Sequence, residues 1–230
     1  MHLQFTLEGI SGSTDLSLQL KGAVICGYTG RDQAAIQKHI HELEKEGIQP
    51  PPSVPMYYPK PAWGVSVADE MHVLSAQTAG EVEFVLLPRA GKTYVGVGSD
   101  HTDRDLEKLD VPKSKQVCPS MISPSLWDLD DVKDHWDQLR FRSWATCGGS
   151  RILYQQSAVT CVFPPDELLA RVRTRVKGDL SGLAIFSGTP ALLTGGFVFA
   201  ERFEAELTDP VLQRSLKISY AVKTLDWFTA

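Results

Sequence analysis

The sequence predicts an α+β fold that is rich in strands, with a few short helices around them. Three observations lead there. Segments that alternate apolar and polar residues recur along the chain, as half-buried strands do. Turn-forming residues separate these segments. Helical spacing is confined to three stretches, at 33–47, at 128–142 and after "PPDELLARV" begins at 164.

Residues 3–7 ("LQFTL") and 16–20 ("LSLQL") alternate, and "EGISGSTD" between them is turn chemistry. "GAVICGY" at 22–28 is a more continuous apolar strand. In "QAAIQKHIHELEKEG" (33–47), Ala34, Ile36, Ile40 and Leu43 drift around one helical stripe, and Gly47 suits a helix C-terminus. "IQPPPSVPMYYPKPAWG" holds six of the 14 prolines. Proline lacks the amide donor and fixes φ, so this is extended, irregular chain rather than helix or central strand. "VSVADEMHVLS", "GEVEFVLL" and "TYVGVGSD" return to the strand pattern, with "PRAGK" as the turn between the last two. Residues 128–142 read as a helix with acids early and arginines late, which suits the macrodipole. "SGLAIFSGTPALLTGGFVFAERFEAEL" is apolar, glycine-punctuated and β-like.

Composition excludes several classes. The 230 residues are 43% hydrophobic, enough for one large core, and carry a net charge of −5 with no basic stripe, which argues against nucleic acid. No stretch approaches the ~18 apolar residues of a membrane span. The start "MHLQFTLEGISGSTD" lacks a basic region followed by an apolar block, so the expected compartment is the cytoplasm. Cys26, Cys118, Cys147 and Cys161 are widely spaced and read as reduced thiols rather than a zinc or disulfide framework.

The chemistry gathers at "GEVEFVLL" and "GSDHTDRD". On a strand, Glu81 and Glu83 point to one face while Val82, Phe84 and Leu86 point to the other, towards a core. Two like charges side by side repel unless a cation lies between them. A hairpin that sets Glu81 opposite Asp100, Glu83 opposite Gly98 and Val85 opposite Gly96 puts three carboxylates on one face, with space beside the glycines. A slip of one residue would send Asp100 to the wrong face. Three converging carboxylates with no nearby cysteine suit a hard divalent ion, Mg²⁺ or Mn²⁺, with Ca²⁺ as a further option. The competing reading is a solvated strand edge with scattered acids.

At these residues the chain resembles the fumarylacetoacetate hydrolase superfamily. The motifs appear in order as "EVE" (81–83), "DHTDRD" (100–105), "KSKQVCP" (113–119) and "SGTP" (187–190), after an opening "CGYTGRD…HIHELEKEG…PPPSVPMYYPKP". The resemblance covers roughly residues 22–210 and is nearer to an uncharacterised branch than to the well-known hydrolases. It implies one domain over 1–230, with residues 1–21 as added N-terminal strands, a mixed β-roll and a homodimer. It implies a metal on Glu81, Glu83 and Asp100, and a small-molecule substrate, a 2-oxo acid, diketone or related chelator, that reacts through an enolate by hydrolysis, decarboxylation, tautomerisation or lyase chemistry. Lys113, or Lys115 two residues on, would add positive charge to that enolate. Ser187, Gly188 and Thr189 would hold the substrate, with Tyr58 and Lys60 from the proline-rich loop.

The departures are specific. Gln33 stands where the family has its catalytic histidine. His39 and Glu42, three apart on the expected helix, would share a face as base and orienting acid. His41 with Glu44 offers the same spacing. Glu107 replaces the family's glutamine and would favour a substrate bearing a cation. Arg104 and Asp105 would brace the metal loop as an ion pair, and His101 would stand behind or outside the site. Trp127, Trp136 and Trp144 would line a cleft or the core. Without a base, the same fold would serve as a non-catalytic metal and small-molecule binding protein.

Overall fold

The hairpin Val82–Arg89/Lys92–Asp100 is the centre of the molecule, and its formation follows from its turn. Arg89 pairs with Lys92, leaving Ala90 and Gly91 as a two-residue loop with φ of 48° and 82°. Two positive φ values match the twist of paired strands, and a glycine takes the second at no steric cost. That turn sets Glu83 opposite Gly98 and Val85 opposite Gly96. The Asp100 N–H donates to the Glu81 carbonyl at 3.2 Å, which continues the same register.

The computed structural model describes residues 1–45 and 50–228 and, in the first helix (Gln33–Lys45), not the side chains of His39, Glu42, Leu43 and Lys45. The helix end expected at Gly47 lies outside the described residues. Among these residues a ten-stranded mixed sheet runs in the order Gly12–Gln19, His2–Gly9, Ser125–Asp128, Lys92–Asp100, Val82–Arg89, Leu183–Phe186, Gly22–Gly27, Met56–Pro61. Ser120–Ile122 joins beside Lys92–Asp100 and carries Val65–Ser66 in parallel. A second sheet of five strands runs Ser150–Ala158, Arg140–Cys147, Arg202–Asp209, Arg214–Thr224, Glu70–Val73. The proline-rich stretch ends in an edge strand, where Pro59 and Pro61 pair opposite Val24 and Gly22. An edge tolerates residues that cannot donate to a ladder.

Both faces of the hairpin are buried. Val82, Phe84, Leu86, Val95 and Val97 join Phe141, Phe203 and Tyr220 of the second sheet in one apolar cluster. Val85, Leu87 and Tyr94 join Phe5, Leu18 and Phe186 in another. Each such side chain contributes ~1.5–3 kcal/mol when fully buried. The expected space beside the glycines is absent. A Cβ on Gly98 would fall 2.5 Å from Val85 and 2.7 Å from the Met121 carbonyl, and one on Gly96 3.0 Å from Leu126. These glycines admit a close neighbour rather than a ligand. The carboxylates therefore sit at the end of a face that is otherwise core.

The helix expected over 128–142 is corrected. Leu129–Asp131 and Lys133–Gln138 are short 3-10 turns, the second is broken at His135, which is non-helical (φ −129°), and Arg140–Cys147 is a strand. The alternation in "RFRSWAT", with Phe141, Ser143 and Ala145 buried, decides for sheet over helix. Trp127 and Trp136 are core residues, while Trp144 lies under the Arg151 guanidinium at 4.0 Å. The four cysteines are unbridged. Among the described residues no helix is long and apolar enough to cross a membrane.

Candidate active site

After Asp100 the chain leaves the sheet, builds two short helices and returns, so that Ser120 pairs with Asp100. Thr102–Asp103 bridges to Thr78–Ala79. The Asp103 carboxylate accepts from the N–H groups of Asp105 and Leu106 and starts the single turn Arg104–Glu107. Asp110 caps Val111–Val117 in the same way, through the Lys113 N–H. This excursion folds its charged side chains back over the hairpin end.

Lys115 reaches the carboxylates and Lys113 does not, which corrects the expectation for Lys113. The Lys115 ammonium meets Asp100 Oδ2 at 2.8 Å, Thr102 Oγ1 at 3.0 Å and Glu107 Oε1 at 3.3 Å. Lys113 is exposed and pairs with Asp110 at 2.6 Å. Two residues on an α-helix are roughly 200° apart, so only one of the pair can face inwards. An ammonium has three donors, and all three of Lys115's are committed to protein acceptors.

Arg104 is 4% exposed and ties the loop to the hairpin. It pairs with Glu81 at 3.2 Å and with Glu107 at 2.7 Å, donates to the Ala79 carbonyl at 3.2 Å, and lies 4.0 Å from the Phe197 ring centroid. The expected Arg104–Asp105 pair is not formed, because Asp105 faces outwards and meets Lys108 at 2.8 Å. Glu83 is buried and accepts from the Gly188 N–H at 2.8 Å. Among the described residues no cation comes within ion-pair distance of it. Burial, then the charge of Asp100, raises its pKa well above the carboxylate range. Burial opposes ionisation of Asp100 too, but Lys115 and Lys60 outweigh it and hold its pKa low.

The remaining expected residues separate. Lys60 is buried and donates to the Cys118 carbonyl at 2.5 Å and to Ser120 Oγ at 2.9 Å. Burial lowers its pKa to about 8 against the pull of Asp100. Tyr58 packs in the second apolar cluster, within electrostatic reach of Tyr28, Lys115 and Glu107, and burial lifts it to about 12. The Ser187 hydroxyl is fully buried, accepting from the Phe84 N–H at 3.1 Å and donating to the Gly188 carbonyl at 2.8 Å. That braces the turn at the position where the resemblance implies a substrate-binding role. Thr189 is half-buried, donates to the Val82 carbonyl at 2.9 Å and accepts from Gln155 at 2.7 Å. The side chains of His39 and Glu42 lie outside the described set. His41 is exposed and meets Glu44 at 3.3 Å, and Gln33 is exposed and bonds the Gly30 carbonyl at 2.6 Å.

One buried network had almost no sequence signal. His101 Nε2 meets Thr78 Oγ1 at 2.9 Å and Nδ1 meets Tyr220 Oη at 3.0 Å. Tyr220 donates to Ser99 Oγ at 2.8 Å, which also accepts from the Glu81 N–H at 3.1 Å. A Cβ on Gly80 would fall 2.8 Å from both hydroxyls, so only glycine admits this crossing between the sheets. Burial, then Arg104, lowers the His101 pKa to about 3, so the ring is neutral. Ser120 follows the quoted Cys-Pro, and Tyr28 lies in the opening motif; either was findable. Tyr220, from the far sheet, was not.

The donor chemistry fits a hard divalent ion. Glu81, Glu83, Asp100 and Glu107 are all-oxygen donors, and Glu83 is a buried acid that a nearby cation would let ionise. Among the described residues, though, no three His, Cys, Asp or Glu side chains stand ready as a ligand group. Lys115 and Arg104 grip Asp100 and Glu81 instead.

A hairpin ending in buried carboxylates within a mixed sheet, backed by a second sheet, defines a fumarylacetoacetate hydrolase-type fold. A fumarylacetoacetate hydrolase family protein from Yersinia pestis CO92, itself described as putative, superposes with a TM-score of 0.63 at 16% identity, covering 95% of this chain and 100% of that one. A 2-keto-3-deoxy-D-arabinonate dehydratase complexed with magnesium and 2,5-dioxopentanoate gives 0.62 at 16%, covering 90% and 74%. A 5-carboxymethyl-2-hydroxymuconate delta-isomerase from Mycobacterium smegmatis gives 0.59 at 14%, covering 93% and 81%. The chain belongs to the family described as "Protein of unknown function (DUF2848)", whose model matches residues 26–220. A comparison with curated proteins gave no match.

Proposed function

We propose that this chain is a divalent-metal-dependent enzyme acting on a small 2-oxo acid, diketone or related chelating compound through an enolate. The observation that carries the reading is the buried Glu83 beside Asp100 at the hairpin end, with Glu81 next to them and Lys115 and Arg104 around them. The fold-mates support it, since they include a dehydratase complexed with magnesium and an isomerase. Glu81, Glu83 and Asp100 would hold Mg²⁺ or Mn²⁺, with Ca²⁺ as a further candidate. An ion held there supplies positive charge to a chelated oxo group and so favours its enolate.

The chain's own residues do the rest. Lys115, in place of Lys113, brings a second positive charge. Asp100, Glu81 and Glu107 outweigh burial and raise its pKa, so it acts as a fixed cation and not as a base. Lys60, Tyr58, Gly188 and Thr189 are the proposed substrate contacts, Gly188 standing at Glu83 through its N–H. His39, oriented by Glu42, is the proposed base. The reaction is hydrolysis, decarboxylation, tautomerisation or lyase chemistry, carried out by a cytoplasmic homodimer.

Thermal unfolding of metal-stripped protein, titrated with Mg²⁺, Mn²⁺ and Ca²⁺ beside Glu83→Ala, tests the site. A ligand that binds the folded state alone raises its stability. An upward shift in the wild type that the variant lacks supports the reading; no shift in either sinks it. A second reading, a binding protein without turnover, is favoured by the exposed Gln33. Metal-dependent binding of 2-oxo acids without any turnover would establish it.

A further inference from the structure

Glu107 sits between two buried cations that face the same space. Its carboxylate meets Arg104 Nη1 at 2.7 Å and Lys115 Nζ at 3.3 Å. Lys115's other two donors go to Asp100 and Thr102, which are almost wholly buried. Arg104's other terminal nitrogen goes to Glu81 and the Ala79 carbonyl, and Phe197 covers one face of the guanidinium. The Glu107 side chain is 24% exposed, against 4% and 8% for its two partners. The cluster therefore opens towards solvent on the side that Glu107 occupies. Of the carboxylates that meet Arg104 and Lys115, Glu107 is the most exposed and the one that touches both, so an anion that engages both cations competes with it.

We propose that Glu107 fills, from within the protein, the seat that a ligand's second anionic group would take, so that the site selects chelating mono-anions over dianions. The proposal rests on reading Glu81, Glu83 and Asp100 as a metal site. Charge points the same way. Glu107 already sets one negative charge against Arg104 and Lys115, and the second carboxylate of a dianion would bring another to the same two cations, where a mono-anion brings none. Lys115 and Arg104 outweigh burial to keep Glu107 ionised, so the seat stays filled at neutral pH. The expectation that Glu107 recruits a cationic substrate is thereby replaced: its charge is already met by two cations of the protein.

Oxalate and oxamate, two near-isosteric chelators that differ by one charge, test this on the Mg²⁺-loaded protein by titration calorimetry. Glu107→Gln, and Glu107→Ala as a second neutral variant if the first folds poorly, should shift the oxalate-to-oxamate affinity ratio towards oxalate by about tenfold or more, because a competing charge on the same two cations is gone. Glu107→Asp keeps the charge and should hold the ratio near the wild-type value. An unchanged ratio in a folded neutral variant overturns the proposal while leaving the metal site standing. Absence of Mg²⁺-dependent binding of both ligands to the wild type overturns the metal reading, and this proposal with it.

Discussion

The hairpin end and the first helix carry similar residues and treat them in opposite ways. At the hairpin end, Asp100, Arg104 and Lys115 are taken out of water and meet charged partners, while the buried Glu83 is met by the Gly188 N–H. On the helix, His41 and Glu44 share a face at 3.3 Å but stay in solvent, where such a pair contributes little. Charge in a sequence is thus no guide to function until burial is known. Burial makes each partner obligatory, since an unpaired buried charge is costly while an unpaired exposed one is not.

That contrast can be broken by substitution. The largest effect is expected at Lys115→Met, which leaves Asp100 and Glu107 without their shared cation. Breaking a buried ion pair from one side costs about 3–5 kcal/mol, read as a lower midpoint in urea unfolding. Preserved stability would mean that the cluster is open to water.

Acid sensitivity comes next. The folded pKa of His101, about 3, lies below its ordinary 6.5, so the unfolded chain takes the proton first. Its contribution is complete above pH 6.5 and is lost as pH falls towards 3, a span worth on the order of 5 kcal/mol. His101→Gln should flatten the stability profile in that window; parallel profiles would show that the carboxylates alone set the acid limit.

Tyr220→Phe removes one hydroxyl from the crossing between the sheets and should cost about 1–2 kcal/mol. It should also weaken metal binding, through the backbone of Glu81, more than a cavity-making Phe203→Leu does. Equal metal affinity in wild type and Tyr220→Phe would reduce the network to a packing role. At the small end, His41→Ala and Lys113→Ala should leave the unfolding midpoint unchanged. A clear drop at either would show that exposed charges here are not interchangeable.

The hairpin was legible because two short-range rules agree on it. A period of two places Glu81, Glu83 and Asp100 on one face, and "RAGK" fixes the register through its turn. The choice between Lys113 and Lys115 was not legible, because a helix seven residues long has no apolar stripe sufficient to set its rotation. The Asp110 cap and the return of the chain at Ser120 set it instead. Residues 128–142 misled because acids followed by arginines suit a helix dipole, while the burial of Phe141, Ser143 and Ala145 in the second sheet outweighs so weak a preference.

By itself the sequence determined the strand-rich class, the paired carboxylates and the turn that aligns them, since each depends on neighbours within about twenty residues. Only the tertiary structure decided which cation meets which acid, that the glycines are packed rather than vacant, and that Tyr220 of the far sheet bonds the Ser99 hydroxyl that meets the Glu81 N–H. Those outcomes depend on contacts between segments far apart in the chain, and no local pattern encodes which of the available charges a buried carboxylate will meet.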